Sequence, residues 1–125
     1  MSSPEPGQTA ASTYVVGSDD TATAFGSGDV AVLATPRLVA WLEAATVAIA
    51  GSNDTSTSVG ARVEIDHLAP SHVSSEVTVR AELERVDGRR LHFAAEASNE
   101  DGTVVARARI VRVMVDRRRF DAQSG

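Results

Sequence analysis

The longest regular pattern of apolar residues predicts an α-helix that begins near Pro36. Apolar side chains recur at helical spacing on one face, at Leu38, Trp41, Leu42, Ala45 and Ile49. Val39, Val47 and Ala50 fall on the other side, so the pattern leaves little polar surface. A helix that is apolar on nearly every side is normally buried. We therefore expect the rest of the chain to wrap around this helix.

The two ends of this helix carry signals of their own. Thr35 is a typical N-cap residue, and Pro36 suits the first helical position because its missing N–H would be unpaired there. Gly51 is a typical residue just beyond a helix end. These signals predict a helix over residues 36–50, with Thr35 as its cap.

The pattern after the helix has a period of two, which is the spacing of half-buried strands. Such alternation runs through residues 59–67, 76–84, 91–97 and 103–116. Asp87-Gly88 and the segment 99–102 supply turns between the last three runs. No second helical pattern interrupts them, so an antiparallel sheet is expected.

This order of elements predicts an α+β fold, in which one antiparallel sheet wraps around one long central helix. Short extended segments are predicted before the helix, at residues 12–16, 21–25 and 30–33. A chain of 125 residues is long enough for one core but not for two. We assign residues 12–120 to a single domain, 1–11 to a disordered tail rich in Ser, Pro and Gly, and 121–125 to a C-terminal tail.

Composition and charge narrow the function classes. The formal net charge of −5 argues against general nucleic-acid binding. The chain has no cysteine, which excludes disulfides, thiolate metal sites and a cysteine nucleophile, and its three scattered histidines do not make a metal site. The longest apolar stretch, residues 38–50, contains Glu43 and Thr46 and is too short to span a bilayer. No secretory signal opens the chain, so we expect a cytoplasmic protein without membrane or nucleic-acid partners.

Two titratable residues fall at positions where the pattern predicts burial. Glu43 is the only acid in the apolar helix. His67 is in phase with an apolar strand face made of Val59, Ala61, Val63 and Ile65. Burying a carboxylate or an imidazole is costly unless the group is paired or used. The two residues therefore point to a site, with the hydroxyl of Thr35 at the start of the same helix.

Each candidate also has a purely structural interpretation that the sequence leaves open. Glu43 is compatible with a surface acid on a half-exposed helix, Thr35 with a cap alone, and His67 with a hydrogen-bonded core histidine. Arg112 interrupts an apolar strand face, where a guanidinium needs either a carboxylate partner or an anionic ligand. His92 is out of phase with its apolar neighbours and is predicted to face away from the core.

The candidate residues also form a spaced motif. It consists of Ala34-Thr35-Pro36, then Glu43 eight residues after the threonine, then Gly60 with His67 seven residues later. Over about residues 14–120, the chain resembles the fluoroacetyl-CoA thioesterase-like family of small acyl-CoA thioesterases. That family has the hot-dog fold, so the resemblance implies this fold for the predicted sheet and helix.

The resemblance also implies a function and the residues that carry it. The implied catalytic set is Thr35, Glu43 and His67, with Gly60 close to the acyl group and Arg112 beside the site. The implied reaction is hydrolysis of a short-chain acyl-CoA thioester, with no cofactor apart from the CoA of the substrate. Hot-dog proteins resemble one another in forming dimers with sites at the subunit interface, so we expect a homodimer.

Two other functions stay open at this point. One is a non-catalytic module that binds an acyl-CoA or another small hydrophobic molecule, and the other is a hydratase acting on enoyl thioesters. The loop Gly26-Ser27-Gly28-Asp29 lacks the aromatic residue that the fluoroacetyl-selective member has there, so the resemblance does not extend to the fluoroacetyl group. The basic run at 117–119 is typical of a solvated strand end, although the phosphates of CoA could bind such a cluster.

Overall fold

The computed structural model describes residues 3–124 of the chain and the side chains of residues 3–120. Its strands are β1 (Thr9–Val15), β2 (Ser56–His67), β3 (Glu76–Asp87), β4 (Arg90–Asn99) and β5 (Val104–Asp116). Its helices are α1 (Ala22–Phe25), α2 (Thr35–Ala50) and α3 (Arg117–Ser124), with a 3-10 turn at Ser18–Asp20. The strands form one antiparallel sheet in the order β1-β3-β4-β5-β2, which confirms the predicted α+β arrangement. None of the helices in the described part of the chain is long and apolar enough to cross a membrane.

The core lies between one face of this sheet and α2. Alternate residues of β3 and β4, such as Leu83 and Phe93, are almost fully buried in one cluster with Leu42 of α2. Burying each large apolar side chain contributes about 1.5–3 kcal/mol. Tyr14 of β1 stacks on Trp41 with ring centroids 4.4 Å apart, which packs the edge of the sheet against the helix.

A single chain leaves part of the apolar surface of α2 exposed. Leu38 and Leu42 are fully buried, whereas Val47 is 47% exposed and Ala40 and Ala44 are also exposed. The reason is that the sheet covers only one side of the helix. One copy of the chain therefore leaves a strip of small apolar side chains on α2 uncovered.

Both ends of the domain differ from the predicted boundaries. β1 begins at Thr9, opposite Glu82 of β3, so residues 9–11 of the predicted tail belong to the sheet. The Ser- and Thr-rich sequence obscured this because an edge strand with one solvated face has few apolar residues. Residues 121–124 of the predicted C-terminal tail belong to α3. Residues 1–2 and 125 of the two tails lie outside the described residues.

The extended segment predicted at residues 21–25 is instead the short helix α1. Thr21 is its N-cap, and the Thr21 hydroxyl accepts a hydrogen bond from the backbone N–H of Ala24 at 3.3 Å. Gly26 ends the helix in the left-handed region, with φ of 71°. A cap at each end favours the helical turn over the extended preference of threonine.

Candidate active site

Thr35 and His67 form the first of two groups that the fold brings together. The N-cap of α2 is Ala34, in extended backbone, and Thr35 is already the first helical residue. The Thr35 hydroxyl lies 2.7 Å from Nδ1 of His67 at the end of β2. The prediction that Thr35 caps the helix is therefore wrong, because its hydroxyl bonds the imidazole and makes no cap hydrogen bond.

The surroundings of His67 favour a neutral ring. Burial lowers the pKa of His67 below its usual value of 6.5, and the nearby backbone of Ala69 opposes this shift in part. Nε2 is buried and has no hydrogen-bond partner among the described residues. A neutral ring with its hydrogen on Nε2 accepts the hydrogen bond that the Thr35 hydroxyl donates to Nδ1. In that tautomer the exposed hydroxyl has a proton acceptor behind it.

A β-bulge in β2 decides which of its residues face α2. Gly60 lies opposite Arg112, but Arg62 lies opposite Val111, so Ala61 is an extra residue in the ladder. The extra residue changes the alternation, and Gly60 and His67 share one face although seven residues separate them. Without the bulge, an odd spacing would place them on opposite faces.

The same bulge corrects the predicted strand face. Val63, Ile65 and His67 lie opposite the buried face of β5, as predicted. Val59 lies opposite Val113, which alternates with buried Arg112, so Val59 is out of phase with His67. The prediction that Val59 and Ala61 share the face of His67 is therefore wrong, because period-two counting does not detect an inserted residue.

Glu43, Gly60 and Arg112 form the second group. Oε2 of Glu43 lies 3.6 Å from Nη1 of Arg112. The Arg112 side chain is only 8% exposed and that of Glu43 is 34% exposed, so this pair is largely shielded from water. Burial lowers the pKa of Arg112, and the charge of Glu43 opposes that shift. Arg112 thus has the carboxylate partner that its position required, and that partner is the candidate catalytic acid.

Ser58 completes the second group, and sequence reasoning missed it. Nε of Arg112 donates to the Ser58 hydroxyl at 2.8 Å, and Nη2 donates to the Ser58 carbonyl at 3.1 Å. These two bonds orient the guanidinium towards Glu43. The alternating pattern was counted only from residue 59, so Ser58 fell outside the predicted strand, and only the bulge brings it onto the face of His67.

The lack of a side chain at Gly60 lets the carboxylate approach β2. A Cβ atom built on Gly60 would lie 2.9 Å from Oε2 of Glu43 and 3.7 Å from Nη1 of Arg112. Contacts below 3.0 Å require something to shift. Glycine at this position therefore allows Glu43 to sit against the strand backbone and beside Arg112.

The two groups do not meet within one chain. Thr35 and Glu43 are separated by eight helical residues, which is about 12 Å along the axis. Gly60 and His67 are about 20 Å apart along β2. Among the described residues, no hydrogen bond or ion pair joins the two groups. A single copy of the chain thus presents two half-sites on one face of the sheet.

The remaining polar features lie elsewhere. His92 faces away from the core, as predicted, with Nε2 3.2 Å from Nη2 of Arg85. A concavity of about 870 Å³ lies on the outer face of the sheet, among Glu96 and Arg107, and not at the candidate residues. Within the described residues, no group of three His, Asp or Glu side chains could hold a metal ion.

Comparison with known proteins gives one family and a consistent fold. A family model described as fluoroacetyl-CoA-specific thioesterase matches residues 16–118. A Thermus thermophilus protein of the thioesterase superfamily is 26% identical, with 98% of this chain and 92% of that chain covered and a TM-score of 0.89. A hot-dog-like protein from Thermanaerovibrio acidaminovorans is 24% identical, with coverage of 95% and 89% and a TM-score of 0.87. The fluoroacetyl-CoA thioesterase FlK is 25% identical, with coverage of 96% and 94% and a TM-score of 0.87. No curated protein sequence matched the chain.

Proposed function

Because this chain belongs to the fluoroacetyl-CoA-specific thioesterase family, whose model spans residues 16–118, we propose that it hydrolyses a short-chain acyl-CoA thioester to a free acid and CoA. The predicted family and hot-dog fold are confirmed. The observation that carries the proposal is Glu43, held against Gly60 by a buried Arg112. Variants of FlK have been solved with acetyl-CoA, and with fluoroacetate and CoA, which supports a CoA thioester as the substrate class here.

The two groups divide the chemistry between them. Glu43 takes a proton from water, and the hydroxide oxygen forms a bond to the thioester carbonyl carbon. The tetrahedral intermediate then breaks its carbon–sulfur bond, and the CoA thiolate leaves and receives the proton from Glu43. Thr35 holds the attacking water, since its exposed hydroxyl is bonded to His67 behind it. Water and the substrate suffice for this reaction, so no further cofactor is proposed.

A homodimer would join the two half-sites. β2 is a twelve-residue edge strand, and its unpaired backbone groups are free to bond a second copy. Antiparallel pairing about a two-fold axis at Glu64, with Ala61 again as an extra residue, would bring Gly60 opposite His67 of the partner subunit. Val63 on this strand is 37% exposed and would become buried in the subunit interface. The site would then combine Glu43 and Arg112 of one subunit with the Thr35–His67 pair of the other. The cytoplasmic location stays a prediction.

Release of free thiol from a panel of acyl-CoAs of increasing chain length tests the reaction. Hydrolysis fastest with short acyl groups is the expected result. The loop at residues 26–29 has no aromatic side chain, so no preference for fluoroacetyl-CoA over acetyl-CoA is expected. Binding without thiol release would favour the non-catalytic module. Loss of enoyl absorbance without thiol release would favour the hydratase.

Replacing Gly60 with Ala is expected to lower kcat/KM by roughly ten-fold, because the Glu43 carboxylate must move by about half an ångström and a displacement of about 1 Å can cost about 100-fold. The added methyl group would lie 2.9 Å from Oε2 of Glu43 and displace the carboxylate. Gly17→Ala is the matched control, because its Cβ would meet a carboxylate oxygen of Asp20 at an ordinary 3.5 Å. Equal activity of both variants would show that Glu43 does not need to approach β2.

Protonation of His67, and any fall in kcat/KM that it causes, is expected below pH 6.5. Burial lowers the pKa of His67, so the ring stays neutral as the pH falls through 6.5 and gains its proton only at lower pH. Nδ1 of His67 can therefore still accept from the Thr35 hydroxyl at pH 6.5, and it becomes a donor only at lower pH. An NMR titration of the imidazole signals checks this, with His67→Gln identifying the resonance. A midpoint above 6.5 would contradict the inferred burial.

A further inference from the structure

Five of the twelve basic residues of this acidic chain fall in two short segments. All twelve are arginines, in a protein with a formal net charge of −5. Arg89 and Arg90 lie at the turn between β3 and β4, and Arg117, Arg118 and Arg119 open α3. We call these five residues the arginine patch.

The fold brings the two segments to one end of the sheet. The backbone N–H of Met114 donates to the Arg89 carbonyl at 2.9 Å, and β5 continues directly into α3. Nε of Arg117 donates to the Asn53 carbonyl at 2.8 Å, next to the start of β2. The β3–β4 turn therefore lies beside the end of β5, where α3 begins. The positive charges of both segments raise the electrostatic potential at this end of the sheet.

The patch differs from the other arginines in its partners. Five of the other seven have a carboxylate within 4.0 Å, namely Arg37, Arg62, Arg107, Arg109 and Arg112. Within residues 3–120, no carboxylate lies this close to any of the five patch guanidiniums, and all five residues are exposed. The acids nearest to these segments in the chain are Asp54, Asp87, Asp116 and Asp121, and the Asp116 carboxylate accepts the backbone N–H of Arg119. The patch thus offers guanidiniums to an anion from solution.

The arginine patch lies at the end of the strand that carries Arg112, about one substrate arm away from the candidate site. Arg112, which holds Glu43, is four residues before Asp116 on β5, and four strand residues span about 13 Å. Leu91 lies opposite Arg112 and is buried on the face that meets α2. Arg89 lies in the two-residue turn just before β4, at the same end of the sheet as Leu91. A long, flexible arm could therefore connect an anion at the patch with a group at Glu43.

We propose that the arginine patch binds the phosphate groups of the CoA substrate while the thioester lies at Glu43; this rests on the proposed function. The planar guanidinium forms paired hydrogen bonds with phosphate oxygens. A protein of net charge −5 repels an anionic substrate overall, so a local basic patch also raises the rate of productive encounter. The pantetheine arm of CoA spans the distance between the patch and the site.

Kinetics with two forms of one substrate test this assignment. The double variant Arg89→Ser with Arg118→Ser keeps Arg117, which bonds Asn53. With the best acyl-CoA, its KM should rise about ten-fold, equivalent to about 1.4 kcal/mol of lost binding, and kcat should change little. With the same acyl group on pantetheine, which lacks the phosphates at the patch, the variant and the wild type should have equal kcat/KM.

The matched control is Arg80→Ser with Arg107→Ser, which removes two charges from the outer face of the sheet. It should leave KM for the acyl-CoA unchanged. An equal rise in the control, an equal loss on acyl-pantetheine, or no rise on acyl-CoA would each overturn the assignment.

If the wild type releases no thiol from any substrate, the proposed function fails. Calorimetry with free CoA then tests separately whether the arginine patch binds the phosphates. Tighter binding of CoA than of pantetheine, lost in the patch variant, would support it, and equal binding of both would overturn it.

Discussion

Replacing Glu43 with Gln is expected to lower kcat/KM for the best acyl-CoA substrate by about 100-fold or more, the usual effect of removing a general base. The amide keeps the shape of the side chain but cannot take a proton from water. Oε2 of Glu43 lies 3.6 Å from Nη1 of Arg112 and the side chain is 34% exposed, so the fold should tolerate the change. Thiol release gives the rate, and circular dichroism with a thermal melt reports the fold.

Glu84→Gln is the control for this variant. Glu84 is also an acid beside an arginine, Arg109, but it is exposed on β3, away from both half-sites and from the proposed subunit interface. Its substitution should leave hydrolysis unchanged. Full activity of the Glu43→Gln protein would show that Glu43 takes no part in the reaction. Glu43 would then be only a surface acid on a half-exposed helix.

A mixture of Glu43→Gln and His67→Gln proteins is expected to recover activity that neither protein has alone. Each homodimer carries the same defect in both sites. After exchange of subunits, a mixed dimer has one site with both substitutions and one site with none. Random exchange of two equal pools leaves about a quarter of all sites intact, so recovery approaches a quarter of wild-type activity. Light scattering and mass spectrometry of tagged subunits confirm that mixed dimers have formed.

The matched control for this experiment is a mixture of Thr35→Val and His67→Gln proteins. Thr35 and His67 pair within one chain at 2.7 Å, so they belong to the same half-site and no mixed dimer has an intact site. No recovery is expected. If the first mixture also fails to recover although mixed dimers are present, the two half-sites are not joined across β2.

The hydrophobic pattern predicted the long helix and the antiparallel strands that follow it. The period of α2, the turn at Asp87-Gly88 and the outward direction of His92 were all predicted and agree with the structure. These features depend on which residues must avoid water, and that information is local in the chain. The spacing of Thr35, Glu43, Gly60 and His67 likewise identified the family, which the family model confirms.

The pairing of the site residues depended on contacts that no local pattern contains. The extra residue at Ala61 arises from how β2 pairs with β5, and it alone places Ser58 and Gly60 on the face of His67. Thr35 has a cap-like sequence context, yet its hydroxyl bonds an imidazole 32 residues away.

The sequence by itself thus determined the long helix, the four strands after it and the family, because burial of apolar surface is read from neighbouring positions. Only the tertiary structure decided which polar atoms meet, because a hydrogen bond or an ion pair needs the register between strands and the position of the helix to within about 1 Å.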